Sequence, residues 1–118
     1  MSTPTTTAPI LDIDIACPAT RTLVEHITSK WGVLVLLVLR DTVLRWSELK
    51  RKLPGVSEKM LVQTLQTLEN DGLVAREARP VVPPHVEYSL TDAGQRAADL
   101  VAPLVSWAQA QVRRDPAG

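Results

Sequence analysis

The chain contains one cysteine, Cys17, and a proline follows it directly. Proline is favoured at the first position of a helix, so the pair predicts a helix that starts at Pro18 with Cys17 as its N-cap. The helix dipole stabilises a thiolate there, and Arg21 lies one turn further on. The pattern therefore predicts a thiol that can be oxidised or alkylated. The alternative is a small residue packed at a dimer interface, and the sequence favours neither.

A single cysteine limits what this thiol can do. A sulfenic acid on Cys17 could not be resolved by a second thiol of the same chain. Cys17 would have to link to the same residue of a partner subunit, form a mixed disulfide with a small thiol, or be alkylated by an electrophile such as a quinone. The lack of any possible internal disulfide is typical of a cytoplasmic protein.

The sequence shows none of the usual signatures of an enzyme or a metal site. It has no phosphate-binding glycine loop, no nucleophile elbow and no second cysteine to complete a metal cluster. The two histidines, His26 and His85, fall on separate predicted elements, and nothing pairs them as ligands. We therefore expect a protein that is not an enzyme and that uses no metal or cofactor.

The composition is that of one small globular domain. The 118 residues are 45% hydrophobic and 22% charged, and 13 basic residues balance 13 acidic ones. Zero net charge predicts neither nucleic acid nor membrane as a partner, so a case for DNA must rest on local charge. The longest apolar run, Val33 to Leu39, is too short to span a membrane, and no signal peptide is apparent.

The middle of the chain shows a helix-turn-helix pattern around the turn Pro54-Gly55-Val56. Ser47 can cap a first helix that runs to about Leu53, and Ser57 can cap a second helix. Leucines recur on one side of the second helix with the spacing of a buried face: Leu61, Leu65 and Leu68.

Two short strands follow directly, roughly 73–78 and 86–90, and they enclose the proline-rich stretch RPVVPPH. Prolines suit the tip of a hairpin, where no ladder donor is needed and a stiff loop loses little entropy on docking. The alternative is an ordinary hairpin with a rigid loop. The position after the two helices favours a wing, and hence an α+β, mainly α, winged helix-turn-helix fold.

A long last helix begins after Thr91 or Asp92 and carries a wide apolar face. This face is more than so small a domain can cover, so we predict that the same helix of a second subunit covers it in a two-fold dimer. The predicted interface residues are Leu23, Ile27, Leu100, Leu104 and Trp107. The alternative is that the last helix folds back over its own core. The predicted boundaries are a flexible tail at 1–16, a domain at 17–113 and a tail at 114–118.

Several stretches together resemble the HxlR family of bacterial winged-helix regulators, relatives of the MarR group. They are CP at 17–18, KWG at 30–32, RWSELKRKLPGVSEKMLVQTLQTLENDGLVAR at 45–76 and VPPHVEYSLTDAG at 82–94. The resemblance covers about residues 17–107. It implies a homodimeric, cytoplasmic transcription factor, usually a repressor and sometimes an activator, that binds a pseudo-palindromic operator in double-stranded DNA. In redox-responsive members, a cysteine at this position before a proline is the sensing thiol.

The resemblance also implies that the first and last helices form the dimer. It implies further that the second helix of the pair enters the major groove and that the wing follows the backbone into the minor groove. Ser57 suits a phosphate, Gln63 an adenine edge, and Lys59 either guanine or phosphate. For each residue, a solvated surface role is about as likely as a base contact. The candidate DNA-binding residues are Ser47, Lys50, Arg51, Lys52, Ser57, Lys59, Met60, Gln63, Thr64, Thr67, Arg76, Arg79 and His85.

The sequence departs from its relatives on the second helix. They usually carry arginines where Thr64 and Gln66 stand, and often a basic residue in place of His85. We therefore expect weaker binding or an unusual sequence preference. Two other hypotheses stay open: a winged helix used for protein–protein assembly, and a regulator gated by a small apolar ligand between subunits, with Cys17 structural.

Overall fold

The computed structural model describes residues 13–14 and 16–114. The predicted tails, 1–16 and 114–118, lie largely outside these residues. Within them the chain forms five helices and three strands in the order α1 (Pro18–Thr28), α2 (Lys30–Leu39), β1 (Leu44–Arg45), α3 (Trp46–Lys52), α4 (Glu58–Asn70), β2 (Val74–Arg79), β3 (His85–Leu90) and α5 (Asp92–Arg114).

Helix α1 begins where the sequence predicts. Cys17 is the N-cap of α1 and Pro18 occupies its first turn. Ser29 ends α1 and caps α2, since its hydroxyl oxygen accepts a hydrogen bond from the backbone N–H of Gly32 at 3.2 Å. No single helix of the described residues is long and apolar enough to cross a membrane; α1 and α2 meet that requirement only together, and they are bent by 69°.

The helix-turn-helix consists of α3 and α4. The prediction that Ser47 caps α3 is wrong, because Arg45 is the N-cap and its backbone N–H donates to the Glu48 carboxylate at 2.8 Å. Ser47 therefore lies within the first turn, exposed to solvent. The predicted cap of α4 is confirmed: Ser57 accepts a hydrogen bond from the backbone N–H of Met60 at 3.0 Å.

The three strands form one antiparallel sheet in the order β1-β3-β2. Strand β2 pairs with β3 along its whole length, from Val74 opposite Leu90 to Arg79 opposite His85. The hairpin starts where α4 ends, because Gly72 adopts a positive φ of 78° that a glycine accepts without strain. These strands form the predicted wing.

The core lies between α2, α3, α4 and the inner face of the sheet. Its largest fully buried side chains are Leu36, Leu39, Leu49, Leu61, Leu68 and Val35. The last helix contributes Ala97 and Ala98 near its start, together with Gly94, which packs against the carbonyl of Leu73. The architecture is thus the predicted mainly α winged helix-turn-helix, with α1 and α5 on its flanks.

Candidate nucleic-acid interface and the thiol at helix α1

The recognition helix α4 has an outer face opposite its buried leucines. Lys59, Gln63, Gln66 and Asn70 are all exposed, and their spacing of four, three and four residues places them on one line along the helix. Lys59 and Gln63 are predicted DNA-binding residues, whereas the prediction omitted Gln66 and Asn70. The same helical spacing, counted from the three leucines, would have found both.

The side of α4 next to this face is turned towards α1. Thr64 and Thr67 are half-buried, and with Met60 and Gln63 they line a cavity of about 250 Å³ together with Glu25 and His26. The hydroxyl of Thr64 also donates to the carbonyl of Met60 at 2.8 Å. Thr64 and Thr67 are therefore partly covered by α1, whereas Met60 and Gln63 lie at the exposed rim of this cavity.

The wing divides its cations between its two faces. Arg76 pairs across the strands with Tyr88, whose side chain is buried, so Arg76 lies on the inner face of the sheet. With Val62 and Gln66 of α4 it lines a cavity of about 400 Å³. Arg76 is thus beside the recognition helix, where a single groove can accommodate both.

Arg79 and His85 lie on the outer face of the wing and are engaged by acids. The Nε of Arg79 is 3.3 Å from one carboxylate oxygen of Glu87, and its Nη1 is 3.3 Å from Glu77. Nε2 of His85 is 3.0 Å from the other oxygen of Glu87. His85 foremost, with Arg79 and Arg45, holds the pKa of Glu87 below its ordinary value. The two glutamates offset the positive charge that the sequence assigned to this part of the wing.

The remaining predicted cations belong to the last turn of α3. Lys50 is half-buried, whereas Arg51 and Lys52 are exposed just before the turn that leads to α4. Ser57 and the N-terminus of α4 follow this turn, so positive charge and free backbone N–H groups meet at one end of the recognition helix. This end suits the phosphate backbone of a duplex.

Cys17 is partly exposed at the start of α1. The neutral thiol makes no capping hydrogen bond. The hydroxyl and backbone N–H of Thr20, with the backbone N–H of Ala19, stabilise the thiolate and lower the pKa of the thiol below its ordinary value. Arg21, which the sequence suggested as an assistant, is not among the groups that lower this pKa; it lines a neighbouring cavity with Thr20.

Four of the five predicted interface residues are exposed in the single subunit. Leu100, Leu104 and Trp107 of α5 have 78%, 61% and 60% of their surface exposed, and Leu23 of α1 is exposed as well. Ile27 differs, because it is half-buried and packs against the core of its own subunit. The apolar face of α5 is therefore uncovered, as the sequence suggested.

The sequence reasoning missed the contact that His26 makes with the end of α4. Nδ1 of His26 lies 2.8 Å from the carboxylate of Asp71, the C-cap residue of α4. The two residues are 45 positions apart, so no local pattern predicts their contact. Within the part of the chain that the structure describes, no group of three or more histidine, cysteine or acidic side chains is placed to hold a metal ion.

A recognition helix with an open polar face, basic residues of α3 beside its N-terminus and an adjoining wing define a class: the winged helix-turn-helix, DNA-binding transcription regulators. Residues 26–116 match the family model described as HxlR-like helix-turn-helix, so the chain belongs to the HxlR family.

Named relatives agree with this membership. The uncharacterized HTH-type transcriptional regulator YtfH of Escherichia coli is 56% identical over 91 residues, which are 77% of this chain and 71% of that protein. The solved structure of the ytfH regulator from Salmonella typhimurium is 52% identical, with a TM-score of 0.77 over 86% of this chain and 89% of that one. The redox regulator HypR in its oxidized form is 36% identical, with a TM-score of 0.71 over 80% and 96% of the two chains.

Proposed function

We propose that the chain is a homodimeric, sequence-specific repressor that acts in the cytoplasm and is switched by oxidation or alkylation of Cys17. The observation that carries the DNA-binding part is the alignment of Lys59, Gln63 and Gln66 on the outer face of α4 beside Arg76 of the wing. Amide side chains read adenine edges, and the cations contact phosphate or guanine. Repression follows if the bound dimer covers a promoter.

Dimerisation is supported by the uncovered stripe of Leu100, Leu104 and Trp107 on α5. A second copy of the same helix is a suitable cover, because a two-fold axis brings identical apolar stripes together. It would also set the distance between the two recognition helices, which must match half-sites about one helical turn apart.

The switch is supported by the lowered pKa of the Cys17 thiol and by its partial exposure. HypR, a relative by structure, is a redox regulator, which adds weight to a thiol-based signal. An oxidant such as diamide accepts two electrons and two protons while two thiols form one disulfide; a quinone accepts the thiolate by addition. Either product changes the start of α1, and a rotated dimer would then miss its half-sites.

The test is binding of the purified protein to its own upstream DNA across a salt series, reduced and after diamide treatment, beside Cys17→Ser. We expect binding that weakens steeply with salt, is lost or shifted on treatment, and does not respond in Cys17→Ser. DNA binding that is unchanged by diamide would refute the Cys17 switch and leave the DNA-binding function standing. No binding to any genomic fragment at low salt would refute the DNA-binding function and favour the protein–protein assembly module.

A second candidate is gating by a small apolar compound, with Cys17 structural. It is favoured by an open depression along α1, lined by Ile13, Thr20, Arg21, Val24 and Glu25. A compound that binds there would raise the melting temperature of the folded protein, and Cys17→Ser would respond to it like the wild type.

A further inference from the structure

Helix α1 is only loosely joined to the rest of the domain. It has no fully buried residue, although Ile27 packs partly against the core. Besides its neighbour α2, it contacts the recognition helix α4. Among the described residues, the hydrogen bond from His26 to Asp71 is the one side-chain hydrogen bond that joins α1 to the end of α4.

Asp71 is the residue where the recognition helix becomes the wing. It is the C-cap of α4, and its backbone N–H donates to the carbonyl of Thr67 at 3.0 Å. Gly72 then turns the chain with its positive φ, and Leu73 leads into strand β2. A force on the Asp71 side chain therefore acts on both DNA-contacting elements at their junction.

His26, the other partner of the hydrogen bond, has a firmly held backbone. Its carbonyl accepts a hydrogen bond from the Ser29 hydroxyl at 2.9 Å, at the bend between α1 and α2. The backbone of Gly32 packs so closely that a Cβ there would come within 2.2 Å of the same carbonyl. The backbone of His26 is thus held at the bend, while its imidazole reaches across to α4.

The chemistry of the two side chains determines which one donates the hydrogen bond. An ionised carboxylate can only accept a hydrogen bond. Nδ1 of His26 therefore bears the hydrogen and donates the hydrogen bond to Asp71. The side chains are partly shielded, with 30% of His26 and 17% of Asp71 exposed. Such shielding distinguishes the pair from the freely exposed ion pairs of the surface, which hold their partners weakly.

We propose that His26 is a positioning residue for DNA binding: its bond to Asp71 holds the end of the recognition helix and the start of the wing against α1. A displacement of α1 that begins at Cys17 then moves both elements together. The inference rests on the DNA-binding function proposed above, and it adds the physical connection between the thiol and the DNA-contacting surface.

The first test is hydrogen exchange of the full-length protein without DNA. We expect His26→Ala to speed amide exchange in residues 66–73, and Thr22→Ala, an exposed change on the same helix, to leave it unchanged. His26→Asn is the rescue variant, because its side-chain N–H lies near the position of Nδ1 and can donate to Asp71. Unchanged exchange in His26→Ala, or equal exchange in the alanine and asparagine variants, would overturn the proposal.

The second test measures the affinity for the upstream DNA under reducing conditions. We expect His26→Ala to weaken binding about fivefold or more, the lower range of measured couplings between sites, and His26→Asn to restore most of the loss. The melting temperature of each variant shows that it is folded at the assay temperature, so a merely structural role would leave the affinity unchanged. Wild-type affinity in folded His26→Ala would refute the positioning role.

The outcomes separate this inference from the proposed function. A wild type that binds no DNA refutes the function, whereas a wild type that binds beside an unaffected His26→Ala refutes the inference alone. If His26→Ala does not fold, Asp71→Ala removes the acceptor of the same hydrogen bond. Faster exchange and weaker binding in Asp71→Ala would support the proposal, and wild-type values of both would overturn it.

Discussion

Arg76 and Arg79 lie on opposite faces of the wing, although only two residues separate them. Arg76 pairs with Tyr88 on the inner face beside the recognition helix, and Arg79 pairs with His85 on the outer face. Two glutamates engage Arg79, whereas Arg76 lines the cavity beside Gln66. Two arginines that look equivalent in the sequence are therefore expected to act differently on DNA.

The two arginines provide a matched pair of variants. Arg76→Ala should weaken binding to all DNA sequences and reduce the slope of log affinity against log salt by about one, because one phosphate contact is lost. Arg79→Ala should change the slope by less than half as much, since its charge is already offset by Glu77 and Glu87. Fluorescence anisotropy across a salt series measures both slopes. A larger loss for Arg79→Ala would contradict this assignment.

The outer face of α4 should carry the sequence preference. We expect Gln63→Ala or Gln66→Ala to cost about 1–3 kcal/mol on the preferred operator and to relax discrimination at one base pair. Thr67→Ala is the control, because Thr67 is half-buried beside α1, whereas Gln63, at the rim of the same cavity, is exposed. The measurement is the affinity for a set of operators with single base-pair changes. Specificity lost in Thr67→Ala and kept in both glutamine variants would place base reading on the other side of the helix.

Thr20 should control the reactivity of Cys17. Its hydroxyl is the largest influence that lowers the pKa of the thiol, so Thr20→Val should raise that pKa and leave less thiolate at neutral pH. The rate of alkylation by iodoacetamide, measured against pH, should therefore rise at higher pH in Thr20→Val than in the wild type. Thr22→Val makes the same replacement two residues away and should leave the pH profile of the alkylation rate unchanged. Coincident profiles for Thr20→Val and wild type would contradict this role.

The exposed stripe of α5 should hold the proposed dimer together. Leu104→Glu places a charge among Leu100 and Trp107, and its burial in an apolar contact would be costly. Light scattering after size exclusion should then report a monomer where the wild type is a dimer. Gln109→Glu adds the same charge at an exposed polar position of the same helix and should remain dimeric. A dimer in Leu104→Glu would place the interface elsewhere.

The acid side of the stability profile should depend on Glu87. Its pKa in the folded protein is below the ordinary value of 4.5, so the unfolded state takes up the proton first as the pH falls. The contribution of Glu87 is therefore complete above about pH 4.5 and is lost as the pH drops through the folded pKa. The melting temperatures of wild type and Glu87→Gln should differ near pH 7 and converge in acid. A difference in melting temperature that grows as the pH falls would show that the folded-state pKa of Glu87 is raised rather than lowered.

Much of the fold could be predicted because it depends on the spacing of residues that are close in sequence. Pro18 after Cys17, Ser57 before α4 and Gly72 after it set helix ends through contacts within one turn. The cap of α3 was predicted two residues late, since Arg45 and Glu48 form a hydrogen bond that a preference for serine does not reveal. Such errors stay small because a helix end is decided by its nearest neighbours.

The candidate site could be predicted only where one element supplies it. The leucine spacing of α4 determines which side chains point outward, and Lys59 and Gln63 follow from it. Thr64 and Thr67 could not be placed the same way, because the position of α1 against α4 decides what they face. That position depends on the bend at Ser29 and on packing against the core.

The sequence by itself determined the class of fold, the order of its elements and the thiol at a helix N-terminus, because periodicity, caps and turns act over a few residues. The tertiary structure decided that His26 meets Asp71 and that Glu87 binds both Arg79 and His85. The first contact spans 45 residues and depends on how separate elements pack. The second depends on strand register and on side-chain rotamers. The sequence gives the number of charged residues, whereas register and rotamers decide which of them are close enough to pair.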